Sequence, residues 1–392
     1  MKVVCFSEIQ WQYLRTRKQQ VLTRFPEDWE ILFLSSVVGG RRNNFKPKRD
    51  GRITHVCIPV MKNFPQGSIQ AALAFGPVRF IWNVILYIWL NVIFLVTGFH
   101  GRDRVFYVSN IYYAAVLPLL PRSLIFYDCN DDHLAFPNTP RWAEIYYRKL
   151  VLSADMVIAA SRGLAEQLKG VGAREVHHIG NGVDYDLFGR AAEAGVPEEI
   201  RDLPRPVIGY VGVIAQWFDF ELLDRVAAAF PSSSLALVGP VYRGLDARLK
   251  KIIGERGNVH VFGAKPYDEL GAYIVAMDVC LIPLRVNRLR RVADRPNKLF
   301  EYAAGGGPIV TMKYSDDMDD LSDIIYIAET AEEFVEKVHE ALEKGADSER
   351  LKDFARQNDW RVTAGEISAL ILRSLGKGDR SFVQGRDHEE RD

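Results

Sequence analysis

The chain has 392 residues, 48% hydrophobic and 26% charged. At about 150 residues per domain this suggests two or three globular domains and excludes a disordered or fibrous protein. The 50 basic and 50 acidic side chains cancel, which argues against a dedicated nucleic-acid binder. The cancellation hides a division. Residues 1–190 carry 23 basic and 15 acidic side chains, net +8, and residues 191–392 carry net −8. A basic first half suits an anionic partner such as a membrane surface or a phosphorylated acceptor. Cys5, Cys57, Cys129 and Cys280 lie far apart in apolar runs without metal-ligand spacing, so neither a zinc site nor a disulfide framework is readable. The apolar start, Met1–Phe6, is too short for a signal peptide. A reduced, cytoplasmic protein is the expectation.

In chain order, apolar runs predict strands at Lys2–Ser7, Glu30–Ser35, His55–Val60, Arg104–Ser109, Ser123–Asp128, Met156–Ala160 and Val176–Ile179, with helical patterns around 67–98, 138–152 and 162–170. The first of these helices contains Phe80–Phe99, twenty residues without a charge, which meets the length criterion for a membrane span. Asn83, Tyr87 and Asn91 fall on one stripe of it. A span would put two strands of one sheet on opposite sides of a bilayer, so the reading is a buried or interfacial helix. The second half restarts the pattern with strands at Val207–Val213, Leu235–Gly239, Val259–Phe262, Val279–Pro283, Pro308–Thr311 and Ile324–Ile327. Alternation of this kind predicts an α/β fold of two Rossmann-like doubly wound domains facing a cleft. The expected division is 1–190 on the acceptor side, a linker at Pro204–Pro206, 205–358 on the nucleotide side, a helix over 359–375 packing back on the first domain, and a disordered tail over 376–392.

In doubly wound sheets ligands bind outside the carboxyl ends of the strands. Three stretches lie there. Asp294–Thr311 has Pro296 and Asn297 to start a helix and Gly305–Gly307 to stop it. A helix start presents free N–H groups and a positive dipole end, which suits a diphosphate. Arg285, Arg288, Arg290, Arg291, Arg295 and Lys298 supply six cations in fourteen residues, and Glu301 could accept hydrogen bonds from a ribose diol. The second stretch, Phe126–Phe136, places Asp128, Asp131, Asp132 and His133 at a strand end, fit for a base, an acceptor-hydroxyl clamp or a metal site; the alternative is a turn. In the third, Gly209–Asp219, Gly212 lets a ligand approach the backbone closely. No GxGxxG, P-loop or GxSxG motif occurs where its chemistry would need it.

Together these stretches resemble the GT-B glycosyltransferases of family 4 (group 1), and within them a bacterial branch of the teichuronic-acid and cell-surface-polysaccharide kind. The resemblance runs through YDCNDDHLAF (127–136), ADMVIAASRGLAEQLKG (154–170), IGNGVDYDLF (179–188), IGYVGVIAQWFDFELL (208–223), NVHVFGAKPYDEL (258–270) and PNKLFEYAAGGGPIV (296–310). It implies that Glu301 binds the nucleotide ribose, that Asn297, Lys298, Leu299 and Phe300 face the diphosphate, that Gly212 approaches the donor, and that Gly263–Tyr267, with Lys265, lies near the base. It further implies that Asp128 reaches the transferred sugar, although many relatives carry a histidine there. The usual E-x7-E pair is broken, with Ala293 in place of the first glutamate and Asp294 beside it. The usual Arg…Lys phosphate pair is replaced by Gln216, Trp217 and Asp219, so the cations of 285–298, Arg291 among them, become the candidates for phosphate.

The expected function is sugar transfer from a nucleotide-diphosphate sugar to a lipid-linked or polysaccharide acceptor in cell-surface glycan synthesis, of the hexosyltransferase type and with retention. Asp128, Asp131 and Asp132 are the expected catalytic residues. Gly212, Trp217, Asp219, Lys265, Arg291 and Asn297–Glu301 are the expected donor site. No cofactor and no metal is expected, and the partners are the nucleotide sugar, the acceptor and an anionic membrane surface at the inner face of the cytoplasmic membrane. The alternatives are an epimerase or phosphorylase on the same architecture and a sugar-nucleotide binder without chemistry.

Overall fold

Strands made of uninterrupted apolar residues are those buried on both faces of a parallel sheet, and this pattern organises the computed structural model. It describes residues 1–12, 15–38, 43–60, 68–135, 139–242, 244–285 and 295–376. The chain divides into two compact units, Met1–Ile179 with Thr363 onward, and Gly180–Val362.

The first unit holds β1 (Lys2–Phe6), β2 (Glu30–Ser36), β3 (Lys48–Asp50), β4 (Ile53–Ile58), β5 (Arg104–Val108), β6 (Leu124–Cys129), β7 (Met156–Ala159) and β8 (Val176–His178) in one sheet of order β3-β4-β2-β1-β5-β6-β7-β8. All pairs are parallel except β3 with β4, which run antiparallel from Lys48 opposite His55. Strand β3, absent from the sequence reading, is Lys-Arg-Asp and fully exposed. Only its pairing makes it a strand, and its charges shield the sheet edge. The order reverses at β1, so the carboxyl ends of β1 and β5 flank the switch point.

Helix α1 (Arg17–Thr23) follows β1, and helix α2 (Gly76–Thr97) lies between β4 and β5 in the chain. Pro77 stands in the first turn of α2, and Gly98, at φ 76°, closes it in the left-handed conformation. Leu86, Leu90, Ile93 and Phe94 form its buried stripe, with Phe94 stacked on Phe106 of β5 at 6.3 Å. Both flanking strands belong to one sheet. The helix is therefore packed along the sheet by one stripe, although by length and composition it could cross a bilayer. Of its polar stripe, Asn83 Nδ2 donates to the Tyr146 hydroxyl at 3.0 Å, whereas Asn91 Nδ2 donates to the Tyr87 carbonyl of its own helix at 2.8 Å. Helix α3 (Ala143–Ser153) packs nearby through Tyr146 and Tyr147.

The second unit holds β9 (Val207–Val211), β10 (Ser234–Val238), β11 (Val259–Gly263), β12 (Val279–Ile282), β13 (Ile309–Met312) and β14 (Tyr326–Ala328), all parallel, in the order β11-β10-β9-β12-β13-β14. This is the doubly wound arrangement whose switch point lies at β9 and β12. Helices α4 (Phe220–Ala229) and α5 (Asn297–Gly305) follow the two switch-point strands.

The unit boundary differs from the expected linker. Gly180–Pro204 belongs to the second unit because Val183 donates to the Asn358 carbonyl at 3.0 Å and accepts from Trp360 N at 2.9 Å, while Phe188 joins the second core. Helix α6 (Trp360–Ser374) begins in the second unit and continues in the first, where the Ser374 hydroxyl lies 4.0 Å from Met156 Sδ. The expected disordered tail lies outside the described residues apart from Gly376.

Candidate functional site

At the switch point of the second unit the chain turns sharply after β9. Gly212 sits at φ 148°, and a Cβ there would stand 3.0 Å from Lys298 Cε and 3.1 Å from the Tyr210 hydroxyl oxygen. Gly239, at the end of β10, comes closer still, since its Cβ would lie 2.0 Å from the Gly212 carbonyl oxygen. No side chain fits there, so this edge is bare backbone. The loop after β9 is fastened to the loop after β12: Arg285 N donates to the Trp217 carbonyl at 2.9 Å and Asp219 N to the Pro283 carbonyl at 2.8 Å.

Helix α5 is seated on β9 by Tyr302, whose hydroxyl accepts from Val211 N at 2.7 Å and donates to the Val211 carbonyl at 3.1 Å. Pro296 is its N-cap and Gly306 its left-handed C-cap. This fixes the first turn beside Gly212. The Lys298 ammonium lies over the Tyr210 ring at 5.4 Å from its centroid. Glu301, half-buried one turn on, receives the Tyr267 hydroxyl at 3.4 Å. Burial pushes its carboxyl up to about 7, with the Lys298 charge and the Tyr267 hydrogen bond pulling the other way. Gly212, Lys298, Glu301 and Tyr267 thus gather at one strand-end edge: bare backbone, a cation, and a carboxyl poised near neutrality. Such a set can meet a phosphate and a polyhydroxyl group side by side.

Other expected donor residues lie elsewhere or have other duties. Leu299 and Phe300 point into the second core, with Phe300 stacked on Phe354 at 5.4 Å, so their side chains do not face a diphosphate. Asp219 is the N-cap of α4, accepting from Glu221 N at 3.0 Å and Leu222 N at 3.1 Å. Its carboxylate serves the helix start. Lys265 is paired with Glu199 at 2.6 Å and lies over the Tyr273 ring. Trp217 remains 37% exposed on the fastened loop. Asn297 opens α5 as expected. Arg291, with Arg288 and Arg290, lies outside the described residues; Arg295 is paired with Asp320.

In the first unit Asp128 does not face open space. It is fully buried within β6, where Arg17 Nε bridges its two oxygens at 3.0 and 3.1 Å and the Tyr107 hydroxyl donates to it. Arg17 also donates to the Ile179 carbonyl at 2.9 Å. Asp132 accepts from Leu134 N at 3.0 Å, the turn alternative raised by the sequence. Asp131 is exposed beside Asn130, whose Nδ2 donates to it at 2.7 Å. The acids expected as one catalytic cluster are therefore divided between a buried ion pair, a turn and a surface position.

A carboxylate that the sequence reading passed over stands at the switch point of this sheet. Glu8, just past β1, is paired with the buried Lys18 ammonium and accepts the Ser109 hydroxyl from the end of β5 at 2.8 Å. Burial works against the Lys18 charge, but the Glu8 carboxylate outweighs it and holds that lysine's pKa raised. Asn110 Nδ2 reaches the Ser7 carbonyl at 3.4 Å alongside. A lone Ser-Glu-Ile carries no motif. Only strand order reveals that it lies where such sheets bind ligands.

Residues 205–344, which contain the whole Gly212–Lys298–Glu301 edge, match the family described as glycosyl transferases group 1. This segment is similar to that family. Over 261 residues the chain is 24% identical to the Bacillus subtilis (strain 168) protein TuaH, named as a teichuronic acid biosynthesis glycosyltransferase. That match covers 62% of this chain and 65% of TuaH, so the chain spans just under two thirds of this relative's length. Solved structures share the fold along nearly the whole chain. The E. coli trehalose-6-phosphate protein bound with UDP-2-fluoro glucose superimposes with TM-score 0.72 at 12% identity, covering 96% of this chain and 99% of that one. Anabaena HepE in complex with UDP-glucose gives 0.66 at 16% identity, covering 95% and 100%. A trehalose-6-phosphate synthase described as transferring its sugar with retention gives 0.69 at 12%, covering 96% and 99%. The matched segment thus sits in a chain of GT-B fold.

Proposed function

We propose that the protein transfers a sugar from a nucleoside-diphosphate sugar, with uridine as the base favoured by the structural neighbours, to an acceptor admitted by the first unit. The observation that carries this reading is the edge formed by Gly212, Lys298 and Glu301 within the segment that matches the group 1 family. The helix start and Lys298 would receive the diphosphate, and Glu301 the ribose hydroxyls. The Gly212 turn would let the donor lie against backbone. Charge develops on the departing diphosphate, so positioning and fixed positive groups supply the catalysis, without a resident cofactor or metal. TuaH and the basic, apolar first unit support a lipid-linked or polysaccharide acceptor of cell-surface glycan synthesis, met at the inner face of the cytoplasmic membrane. The trehalose-6-phosphate synthase likeness supports retention at the anomeric carbon.

Calorimetric titration with uridine, UDP and UDP-glucose tests the donor site. Lys298→Ala should weaken UDP by about tenfold or more, at about 1.4 kcal/mol per decade, and leave uridine nearly unchanged. Equal losses for both ligands would remove Lys298 from the diphosphate. Donor hydrolysis that quickens when acceptor is supplied separates a transferase from a binder without chemistry.

A further inference from the structure

We propose that the first unit carries a separate lipid site: a groove against α2 that takes the acyl or isoprenoid chain of one membrane lipid and holds its phosphate against Arg79 and Lys149. The groove encloses about 440 Å³ and is lined by the apolar side chains of Phe80, Val84, Leu119 and Ile145, with Asn83, Arg79 and Lys149 among its polar members. That volume lies in the usual range for ligand pockets.

Charge identifies the occupant. No lining residue is acidic, and from Ser68 to Tyr127 the sequence has Arg79, Arg102, Arg104 and Arg122 against Asp103 alone. Arg79 is held in place at the groove: its Nη1 donates to the Leu73 and Ala74 carbonyls at 2.6 and 2.8 Å, and its guanidinium lies over the Trp142 ring. These contacts take part of a five-donor fork, and no acidic side chain pairs with it among the described residues. Lys149 is exposed and forms no ion pair among the described residues. Asn83 gives its amide to Tyr146, while its buried Oδ1 meets no donor among the described residues. An apolar lining, two cations without an acidic partner among the described residues and an unmet acceptor match a chain ending in a phosphate that carries a hydroxyl or proton. Phe80 and Val84 line the groove and also belong, with Ile81 and Ile88, to the exposed row of α2, so a bilayer touching that row would meet the groove.

The inference rests on the membrane-facing reading of the first unit, but its test needs no membrane. Calorimetry on the full chain would compare monomeric dihexanoyl phosphatidic acid with dihexanoylglycerol, which lacks the phosphate, and with inorganic phosphate, which lacks the chains. The lipid phosphate should bind at least about tenfold more tightly than either. Lys149→Glu and Leu119→Asp should each weaken it by about tenfold or more, whereas Ile88→Ser, on the exposed row outside the groove, should not. Melting curves establish that each variant folds. Equal binding of the chain alone would make the groove a plain apolar surface, and equal binding of phosphate alone a free-anion site. Either result, or indifference to Lys149→Glu, overturns the proposal. UDP titration of the same samples keeps the outcomes apart: lost lipid binding with intact UDP affinity sinks the groove only, and the reverse sinks the donor site only.

Discussion

At the scale of single residues, the pH behaviour of Glu301 discriminates most sharply. Its raised pKa means that the free protein holds a proton there between the ordinary carboxyl value, about 4.3, and about 7. The folded state is favoured by that proton, so this contribution to stability is present at low pH and is lost as pH rises through 7. Ribose hydroxyls donate to the ionised form, so nucleotide binding should expel the proton. Affinity for UDP should then rise as pH climbs from about 6 to 8, and proton release near pH 7 should show in calorimetry across buffers of different ionisation enthalpy. Glu301→Gln should weaken UDP by about tenfold and flatten the profile. A wild-type profile that falls with pH would contradict ribose recognition by the carboxylate. Asp128 is the opposite case. Asp128→Asn strands the buried Arg17 charge, a loss of about 3–5 kcal/mol, and should lower the melting temperature by about 10 °C. An unchanged melting point with lost turnover would return Asp128 to a catalytic role. The sequence could not separate these two acids. Glu301 lies in a local helix signal from Pro296 to Gly306, whereas Asp128 is defined by Arg17, 111 residues away.

At the scale of elements, most strands are legible because a parallel sheet demands apolar runs, and thirteen of the fourteen among the described residues coincide with strands expected from the sequence. Strand β3 is not, because Lys-Arg-Asp becomes extended only by pairing with β4. Asp219 shows a second limit. A helix N-cap and a ligand carboxylate use the same residue type after a strand, and only geometry assigns it to the helix start. Leu299 and Phe300 belong to a motif for the sake of the core beneath it. Two substitutions separate scaffold from site here. Asp219→Ala should cost about 1 kcal/mol in stability through the lost cap and leave UDP affinity unaltered. Gly212→Ala forces a side chain into a left-handed backbone and against Lys298, so it should lower the melting temperature by a few degrees and weaken UDP strongly. Denaturant titration together with UDP titration reads both; a large UDP loss in Asp219→Ala would restore that residue to the donor site.

At the scale of the whole molecule, the +8 and −8 halves and the bare face of α2 point to surface association by the first unit. Phe80, Ile81, Ile88 and Leu95 are 69%, 59%, 57% and 68% exposed, a row that α2 keeps out of its own core. Isolated apolar side chains on a surface are ordinary, but a continuous helical face marks an interaction site. Insertion of that row and attraction of the basic unit to anionic lipid add to one another, and they respond differently to salt. Charges are screened over about 10 Å at 0.1 M salt, whereas apolar insertion is not. The protein should therefore float with anionic vesicles at low salt, release partly at high salt, and be freed by carbonate because α2 lies along the sheet. A triple Phe80→Ser, Ile88→Ser, Leu95→Ser variant should lose the salt-resistant fraction and keep the salt-sensitive one. Complete solubility of the wild type with anionic vesicles at low salt would sink the association. Resistance to carbonate extraction would mean that α2 leaves the sheet to cross the bilayer, against the packing of Leu86, Leu90, Ile93 and Phe94 on the first core.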